Sequence, residues 1–476
     1  MIEIPPIDWS VVLQLCIIFG GATALLMADL FIPEVRRRVT GYLALAVLAA
    51  AAIAGVAPWG CRGHTFSGTI QIDSFSLVLN WIFMLGAAIT IVLSFDYLPR
   101  HGINRGEYYV MILFAVGGMM LLAQGADLVV LFLGLELLSI TLYALAGFAY
   151  PRTTSEEAAM KYLLIGAFAT GFLVFGIALV YGATGATNLA QIGAVLAEGR
   201  IDGENRIYLM AGAAMTVIGL GYKISLVPFH MWTPDVYEGS PTPITAFMSV
   251  AGKAAAFAGM TRFLLTALET QREIWVPILA ALAAITIVVG NLGALTQQNV
   301  KRMLAYSSIG QAGYILLGPL AASERGTEAM LYYLLAYTLT NLAAFGVLIA
   351  LEARGEAAWN LSDLGGLWQR SPGLAIAMAI AMLSLAGVPP TAGFVAKFAV
   401  FTAAWQAGQA VLVFIGVIVS AIAAFYYLRV VAQIFMSEPT REVEISSDRV
   451  LAFGIGLSVI AIVLIGVLPA RLLNLI

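Results

Sequence analysis

The chain has 476 residues, of which 61% are hydrophobic and 11% charged, with a mean hydropathy of +0.93 and a formal net charge of −3. A soluble domain carries about 25% charged residues, so most of this surface does not face water, and the mildly acidic balance argues against nucleic acid as a partner. Cys16 and Cys61 form no Cys-x-x-Cys pair, and His64, His101 and His230 no axial pair, so zinc, iron–sulfur and haem sites have no evident ligands. There is no Gly-x-x-x-x-Gly-Lys loop or Gly-x-Gly-x-x-Gly fingerprint for nucleotide chemistry.

The apolar runs last roughly 20 residues, the length of a membrane-crossing helix, and lack the period-two alternation of a barrel strand. The reading is an all-α polytopic membrane protein. Fourteen spans are expected in chain order: 9–31, 40–57, 74–96, 108–123, 127–149, 157–182, 207–228, 242–267, 274–295, 302–320, 328–351, 373–408, 410–436 and 450–473. The N-terminus, MIEIPPIDWS, lacks the positive flank of a signal peptide, so the first span is read as retained.

Two spans contain breaks. The seventh stops at Pro228 before FHMWTPDVYEGSPTP, and the twelfth is interrupted by GVPPTAG at 387–393. Proline removes a donor and clashes with the preceding turn, and in a membrane such a break is tolerated where it is buried or lines a wet cavity. Paired discontinuous helices are a feature of transporters.

An even number of spans puts both termini on one side. The loops from each odd span to the next even one, with their flanks, hold Arg36, Arg37, Arg38, Arg100, Arg105, Arg152, Lys161, Lys301, Arg302, Arg354, Arg370, Arg429, Arg441 and Arg449. That is twice the basic residues of the opposite ends, Arg62, Arg200, Arg206, Arg262, Arg272, Arg325 and Arg471. The positive-inside rule then places both termini on the non-cytoplasmic side.

A charge at mid-membrane costs at least about 2.5–3.5 kcal/mol and marks an ion or proton route when it occurs. Four residues stand in such places. Glu136 is near the middle of the fifth span, with Ser139 and Tyr143 on its face. Lys223 precedes the first break, with Thr216 and Gly219 on its face. Lys253 completes a run of Thr242, Thr245, Ser249 and Lys253 at spacings of three, four and four, one wet face of the eighth span. Lys397 follows Pro389-Pro390 by about two turns. A carboxylate favours the charged form of a nearby lysine and desolvation opposes it, so moving the carboxylate is a switch for releasing a proton. Secondary candidates for the proton path are Tyr143, Ser249, His230, Ser307, Ser308 and Gln311; Asp235 and Glu238 share His230's connection. Loop, capping and interhelix hydrogen-bonding roles compete for these. Arg429 and Glu352 read as interfacial charges near span ends.

The segments GYKISLVPFHMWTPDVYEGSPTPITAFMSVAGKAAAF and QQNVKRMLAYSSIGQAGY resemble the antiporter-like membrane subunits of respiratory complex I, a resemblance covering roughly spans four to thirteen. It implies two inverted five-helix repeats with one discontinuous helix each. The expected organisation is residues 1–106 as three N-terminal helices, 107–269 as the first repeat, 270–437 as the second, and 438–476 as a last helix. The family's relay glutamate falls on Glu136 and its lysines on Lys223, Lys253 and Lys397, where a related subunit carries glutamate in the last position. Many relatives have histidine at the position of Gln311; glutamine cannot titrate, which leaves a water-ordering role. The implied activity is proton translocation within a redox-driven quinone oxidoreductase, here along a Glu136–Lys223–Lys253–Lys397 axis. No cofactor is expected on this chain; quinone, FMN and iron–sulfur clusters are expected on partner subunits. The expected partners are other membrane subunits of the complex, neighbouring antiporter-like subunits among them, and lipid. The expected location is an energy-transducing membrane, the bacterial inner membrane. Photosynthetic relatives are similar, so the electron donor stays open. Two other readings are a subunit of a multisubunit cation/proton antiporter and a structural membrane element with inert lysines.

Overall fold

A computed structural model describes residues 7–199, 201, 203–352, 359–439 and 444–469, the Val35 side chain apart. Arg200, Arg354, Arg441 and Arg471, counted above in the loop charges, lie outside the described residues.

The helices in chain order are α1 (Trp9–Asp29), α2 (Arg38–Ala54), α3 (Ser74–Arg100), α4 (Glu107–Gln124), α5 (Leu128–Ala146), α6 (Thr153–Thr184), α7 (Leu189–Ala197), α8 (Gly203–Ile224), α9 (Trp232–Gly239), α10 (Thr242–Phe247), α11 (Lys253–Arg262), α12 (Arg272–Leu295), α13 (Val300–Ile315), α14 (Leu317–Leu320), α15 (Glu324–Leu351), α16 (Leu367–Arg370), α17 (Pro372–Ala386), α18 (Ala392–Gln406), α19 (Ala410–Met436) and α20 (Arg449–Val467). A hairpin of β1 (Gly63–Thr65) and β2 (Ile70–Ile72) lies between α2 and α3. Among the described residues, eleven helices are long and apolar enough to cross a membrane; Arg38–Ala54 and Pro372–Ala386 are shorter apolar helices.

The centre of the fold is the continuous stretch Thr242–Ala267, which joins α10 to α11 through a π-helical turn at Met248–Gly252 and ends in another at Phe263–Ala267. Every residue from Thr242 to Leu264 is buried. α15, α3 and α4 surround it. α6, α19 and α20 present Phe168, Phe175, Phe414, Phe425 and Phe453 outwards, as a lipid-facing surface allows. The wet face expected along Thr242, Thr245, Ser249 and Lys253 is therefore buried inside protein, and the π-helical turn changes its register.

Both breaks occur where expected. α8 ends at Ile224, Ser225 takes a left-handed φ of 71°, and Pro228 follows a cis bond. α17 ends at Ala386, Gly387 takes φ 84°, and Pro390 follows a cis bond before α18 begins at Ala392. Glycine at 387 meets the left-handed conformation without the Cβ penalty.

Several helix pairs cross backbone to backbone, among them α4 with α5 and α12 with α13. A Cβ on Gly118 of α4 would meet Gly134 O of α5 at 2.8 Å, and one on Gly290 of α12 would meet Gly310 N of α13. Small residues permit this close approach in membranes. Asp127 and Asn299 cap α5 and α13, and each forms an isolated β-bridge, to Asn188 and Asn360 respectively.

Candidate functional site

The first charged group is built from α5, α6 and α8. Glu136 is partly buried and accepts a hydrogen bond from Thr170 Oγ1 of α6 at 2.6 Å. One turn further along α5, the buried Ser139 accepts from Lys223 Nζ at 2.9 Å. The Lys223 ammonium lies over the Tyr162 ring, 4.6 Å from its centroid, and 5.3 Å from that of Tyr143. Lys223 is only 3% exposed, so it does not reach an aqueous interface. On α5, then, Ser139 holds the lysine, Tyr143 lies beside it and Glu136 is held by Thr170. On α8, Thr216 turns its hydroxyl onto Gly212 O at 2.9 Å, and Gly219 packs on Leu173.

The second group stands at the fold's centre. Lys253 is 1% exposed and donates to the Ser308 carbonyl at 2.7 Å and to the Ser308 hydroxyl. Ser249, one turn earlier, donates to Ala246 O and accepts from Asn341 Nδ2 of α15 at 2.9 Å. Asn341 also donates to Tyr337 OH at 2.8 Å.

From there a chain of side chains leads to the third group. Ser307 shares a hydrogen bond with Tyr427 OH of α19. Tyr427 OH accepts from Gln311 Nε2 at 3.1 Å, and Gln311 Oε1 accepts from Tyr333 OH. Gln311 Nε2 also reaches Leu385 O at 3.2 Å. The same carbonyl accepts from Lys397 Nζ at 2.9 Å, as do Ala386 O at 3.1 Å and Ser420 Oγ at 2.8 Å. Lys397 therefore sits on the C-terminal carbonyls of the first half-helix, where a cation is favoured by the helix dipole, with its ammonium 5.0 Å from the Tyr314 ring centroid.

The structure thus joins Lys253 to Ser308, joins the neighbouring Ser307 to Gln311 and Lys397 through Tyr427 and one shared carbonyl, and joins Lys223 to Ser139 beside Glu136. His230 is half-buried, and among the described residues no hydrogen bond links it to Lys223 or Lys253. Asp235 and Glu238 belong to a partly exposed ion-pair network with Lys161 and Arg302, at 2.7–2.9 Å. Among the described residues no group of three His, Cys, Asp or Glu is placed to hold a metal.

Several partners were not legible in the sequence. Thr170, Tyr333, Tyr427 and Ser420 are ordinary residues of apolar helices and become relevant only through packing. Two charges read as peripheral prove buried in protein: Lys301 is 0% and Glu352 is 2% exposed. Tyr97, Thr242 and Trp359 donate to the Glu352 carboxylate.

Membrane helices broken at two places, carrying buried lysines tied to hydroxyls and broken-helix carbonyls, define the class of antiporter-like translocation subunits. The family model described as "NADH:quinone oxidoreductase/Mrp antiporter, TM" matches residues 125–423, and the chain belongs to this family. It is 62% identical over 482 residues to NADH-quinone oxidoreductase subunit N 2 of Roseiflexus castenholzii, covering 100% of this chain and 97% of that one. It is 56% identical to NADH-quinone oxidoreductase subunit N of Chloroflexus aggregans, covering 98% and 96%. Among solved structures it is similar to a chain of respiratory complex I from Thermus thermophilus, with a TM-score of 0.83 and 35% identity over 97% of this chain and 98% of that one. A chain of the Mrp complex from Dietzia sp. shares the fold, with a TM-score of 0.84 at 23% identity over 98% and 96%.

Proposed function

We propose that the chain is the N-type antiporter-like subunit of a redox-driven quinone oxidoreductase, and that it carries protons along Glu136, Lys223, Lys253 and Lys397. The observation that carries this reading is the pair of buried lysines, Lys253 and Lys397, each held by a hydroxyl, with the hydrogen-bonded Ser307–Tyr427–Gln311 group and the Leu385 carbonyl between them. A structural membrane element has no use for two such buried ammonium groups, since each costs several kcal/mol to bury. Glu136 would set the charge state of Lys223, Lys253 would relay, and Lys397 would exchange with the far side. Moving one charge against 100 mV costs about 2.3 kcal/mol, and a two-unit pKa swing on a lysine supplies about 2.7 kcal/mol at about 1.36 kcal/mol per unit.

The organisation that fits this reading has fourteen spans, with residues 1–106, 107–269, 270–437 and 438–476 as the N-terminal helices, two inverted repeats and a last helix. The matching glycine crossings of α4 on α5 and α12 on α13, the matching bridges from Asp127 and Asn299, and one broken helix per half support the repeats. We place both termini on the non-cytoplasmic side of the bacterial inner membrane, with FMN, iron–sulfur clusters and the quinone site on partner subunits.

Gentle purification of the native complex, followed by mass spectrometry of everything that travels with the chain, tests the assignment. Iron–sulfur and quinone-site subunits are expected. Co-purification with only other antiporter-type membrane subunits would replace it with a cation/proton exchanger, and sodium-driven exchange would then be measured.

A further inference from the structure

A second set of buried charges lies away from the axis just described, at the ends of α3, α10, α13 and α15. Glu352 follows the last residue of α15 and is 2% exposed. Tyr97 OH donates to Oε1 at 3.1 Å, with Arg152 NH1 at 3.4 Å and His101 Nε2 at 3.7 Å from the same oxygen. Trp359 Nε1, at 3.3 Å, and Thr242 Oγ1 donate to Oε2, and Thr242 Oγ1 accepts from Lys301 Nζ at 3.0 Å. Lys301 also donates to Ser240 O at 2.7 Å, and its ammonium lies 4.3 Å from the Trp359 ring centroid.

The arrangement repeats the chemistry of the Glu136 group: a carboxylate, a lysine, a hydroxyl that receives the ammonium, and an aromatic face beside it. Here the single hydroxyl of Thr242 touches both charged partners. Burial alone would raise the Glu352 carboxyl, but Lys301, Thr242, His101 and Arg152 together hold it below its ordinary value. Burial pushes His101 below its ordinary value, with Glu352 opposing and Arg100 and Arg152 adding to the fall. Glu238 also acts electrostatically on Lys301.

The set is connected in both directions. Outwards, Trp359 lines a cavity of about 230 Å³ that is also lined by the exposed Glu157 and the partly exposed Lys161, and Arg152 is itself 34% exposed. Inwards, Lys301 and Ser308 lie seven residues apart on one face of α13, a rise of about 10 Å, and Ser308 holds Lys253. Two rungs therefore tie the central helix to α13: Thr242 to Lys301, and Lys253 to Ser308. Between them Ser249 receives Asn341, whose Oδ1 is buried without a partner among the described residues, as is a group that ordered water satisfies.

We propose that Glu352, Thr242 and Lys301 form a second carboxylate–hydroxyl–lysine unit that loads protons from the aqueous phase onto the path to Lys253. This rests on the reading of the chain as a proton carrier. A proton leaves the Lys301 ammonium, which becomes a neutral amine, and ends on the neutral Lys253 amine; a proton from water on the outer side of Trp359 then restores Lys301. The side that this unit faces is the one the loop charges mark as cytoplasmic.

The test uses the intact complex in sealed vesicles, measuring protons translocated per electron pair. Lys301→Arg keeps a cation against Thr242 and Glu352 but cannot release its proton. It is expected to assemble and to lower translocation by about tenfold or more, whereas a merely structural cation would be replaced without loss. Lys253→Met is run beside it. If Lys253→Met blocks translocation and Lys301→Arg pumps as the wild type does, the loading unit is overturned and the relay stands. If neither variant alters translocation, the proton-carrying reading fails and the loading unit fails with it. Should Lys301→Arg not assemble, Thr242→Val, which removes the shared hydroxyl at nearly constant volume, decides the matter. Translocation reduced severalfold supports the unit, and undiminished translocation overturns it.

Discussion

Replacing Lys253 by methionine removes the charge at the centre of the fold while keeping most of the side-chain volume. The stem sits in a fully buried helix and its only described partners are the carbonyl and hydroxyl of Ser308. A methionine there leaves the surrounding packing filled, so assembly is expected to survive. Translocation is not. Without an amine at this point, a proton passing between Lys223 and Lys397 stands as an uncompensated charge at mid-membrane, at a cost of at least about 2.5–3.5 kcal/mol. At about 1.36 kcal/mol per tenfold, that corresponds to a slowing of about 70- to 400-fold. The assay is fluorescence quenching by the proton gradient in vesicles holding the complex, with quinone reduction followed in the same sample. Native gels establish that the complex is intact. A variant that pumps within about twofold of the wild type per electron pair would refute the reasoning, because that difference is under about 0.5 kcal/mol.

Glu136→Gln keeps an acceptor for Thr170 and removes the negative charge near Lys223; assembly should hold and pumping should fall roughly tenfold, with Glu136→Asp recovering part of it in the same vesicle assay. Gln311→Ala strands the hydroxyl of Tyr333 and frees one partner of Tyr427, at about 1–3 kcal/mol; the solubilised complex should lose this subunit at a lower temperature, and Gln311→His, which can meet both tyrosines, should restore it. Arg262→Ala breaks a bidentate pair with Asp73, 2.7 Å on both oxygens, and should destabilise the fold by about 3–5 kcal/mol. Burial alone would raise the Asp73 carboxyl, but the Arg262 guanidinium holds it below its ordinary value of 3.8. That stabilisation is complete above pH 3.8 and is lost as pH falls through the lower folded value. Unfolding curves of wild type and Arg262→Ala should therefore lie apart at neutral pH and converge in acid.

How far the sequence carries depends on what surrounds each residue. Glu136 and Lys253 are legible because each interrupts a long apolar run, and nothing but function or pairing explains a charge there. The breaks are legible because Pro228, Pro389 and Pro390 cannot continue a helix. Lys301 is not legible. It is the second residue of α13, just after the polar QQN, and looks like any loop-flanking cation; it is covered by the return of the chain at Trp359 and by the Ser240–Thr242 turn before α10. Glu352 fails for the same reason, since its burial depends on α3 and the segment before α6. Tyr427 stands in an apolar helix where an aromatic reads as packing, so its hydroxyl position between Ser307 and Gln311 has no one-dimensional signal. The π-helical turn ahead of Lys253 has none either, which is why the spacing of Thr242, Thr245 and Ser249 located the right helix but not its exposure.

The four buried lysines share one feature that bears on how any of them can give up a proton. Each has at least one hydroxyl partner: Ser139 for Lys223, Ser308 for Lys253, Ser420 for Lys397 and Thr242 for Lys301. A hydroxyl accepts from an ammonium and can rotate to donate to a neutral amine, whereas a carbonyl can only accept. A lysine held by carbonyls alone would leave them less satisfied on losing its proton, at a cost comparable to breaking a buried hydrogen bond. The balance of the two partner types differs along the axis. Lys223 has only the hydroxyl among its described hydrogen bonds, Lys253 adds one carbonyl, and Lys397 has two at the end of a broken helix. Ser139 thus spares Lys223 any carbonyl to strand. At Lys397 the C-terminal carbonyls of the broken helix favour the ammonium, and Ser420 is the hydroxyl that can turn to donate to the neutral amine.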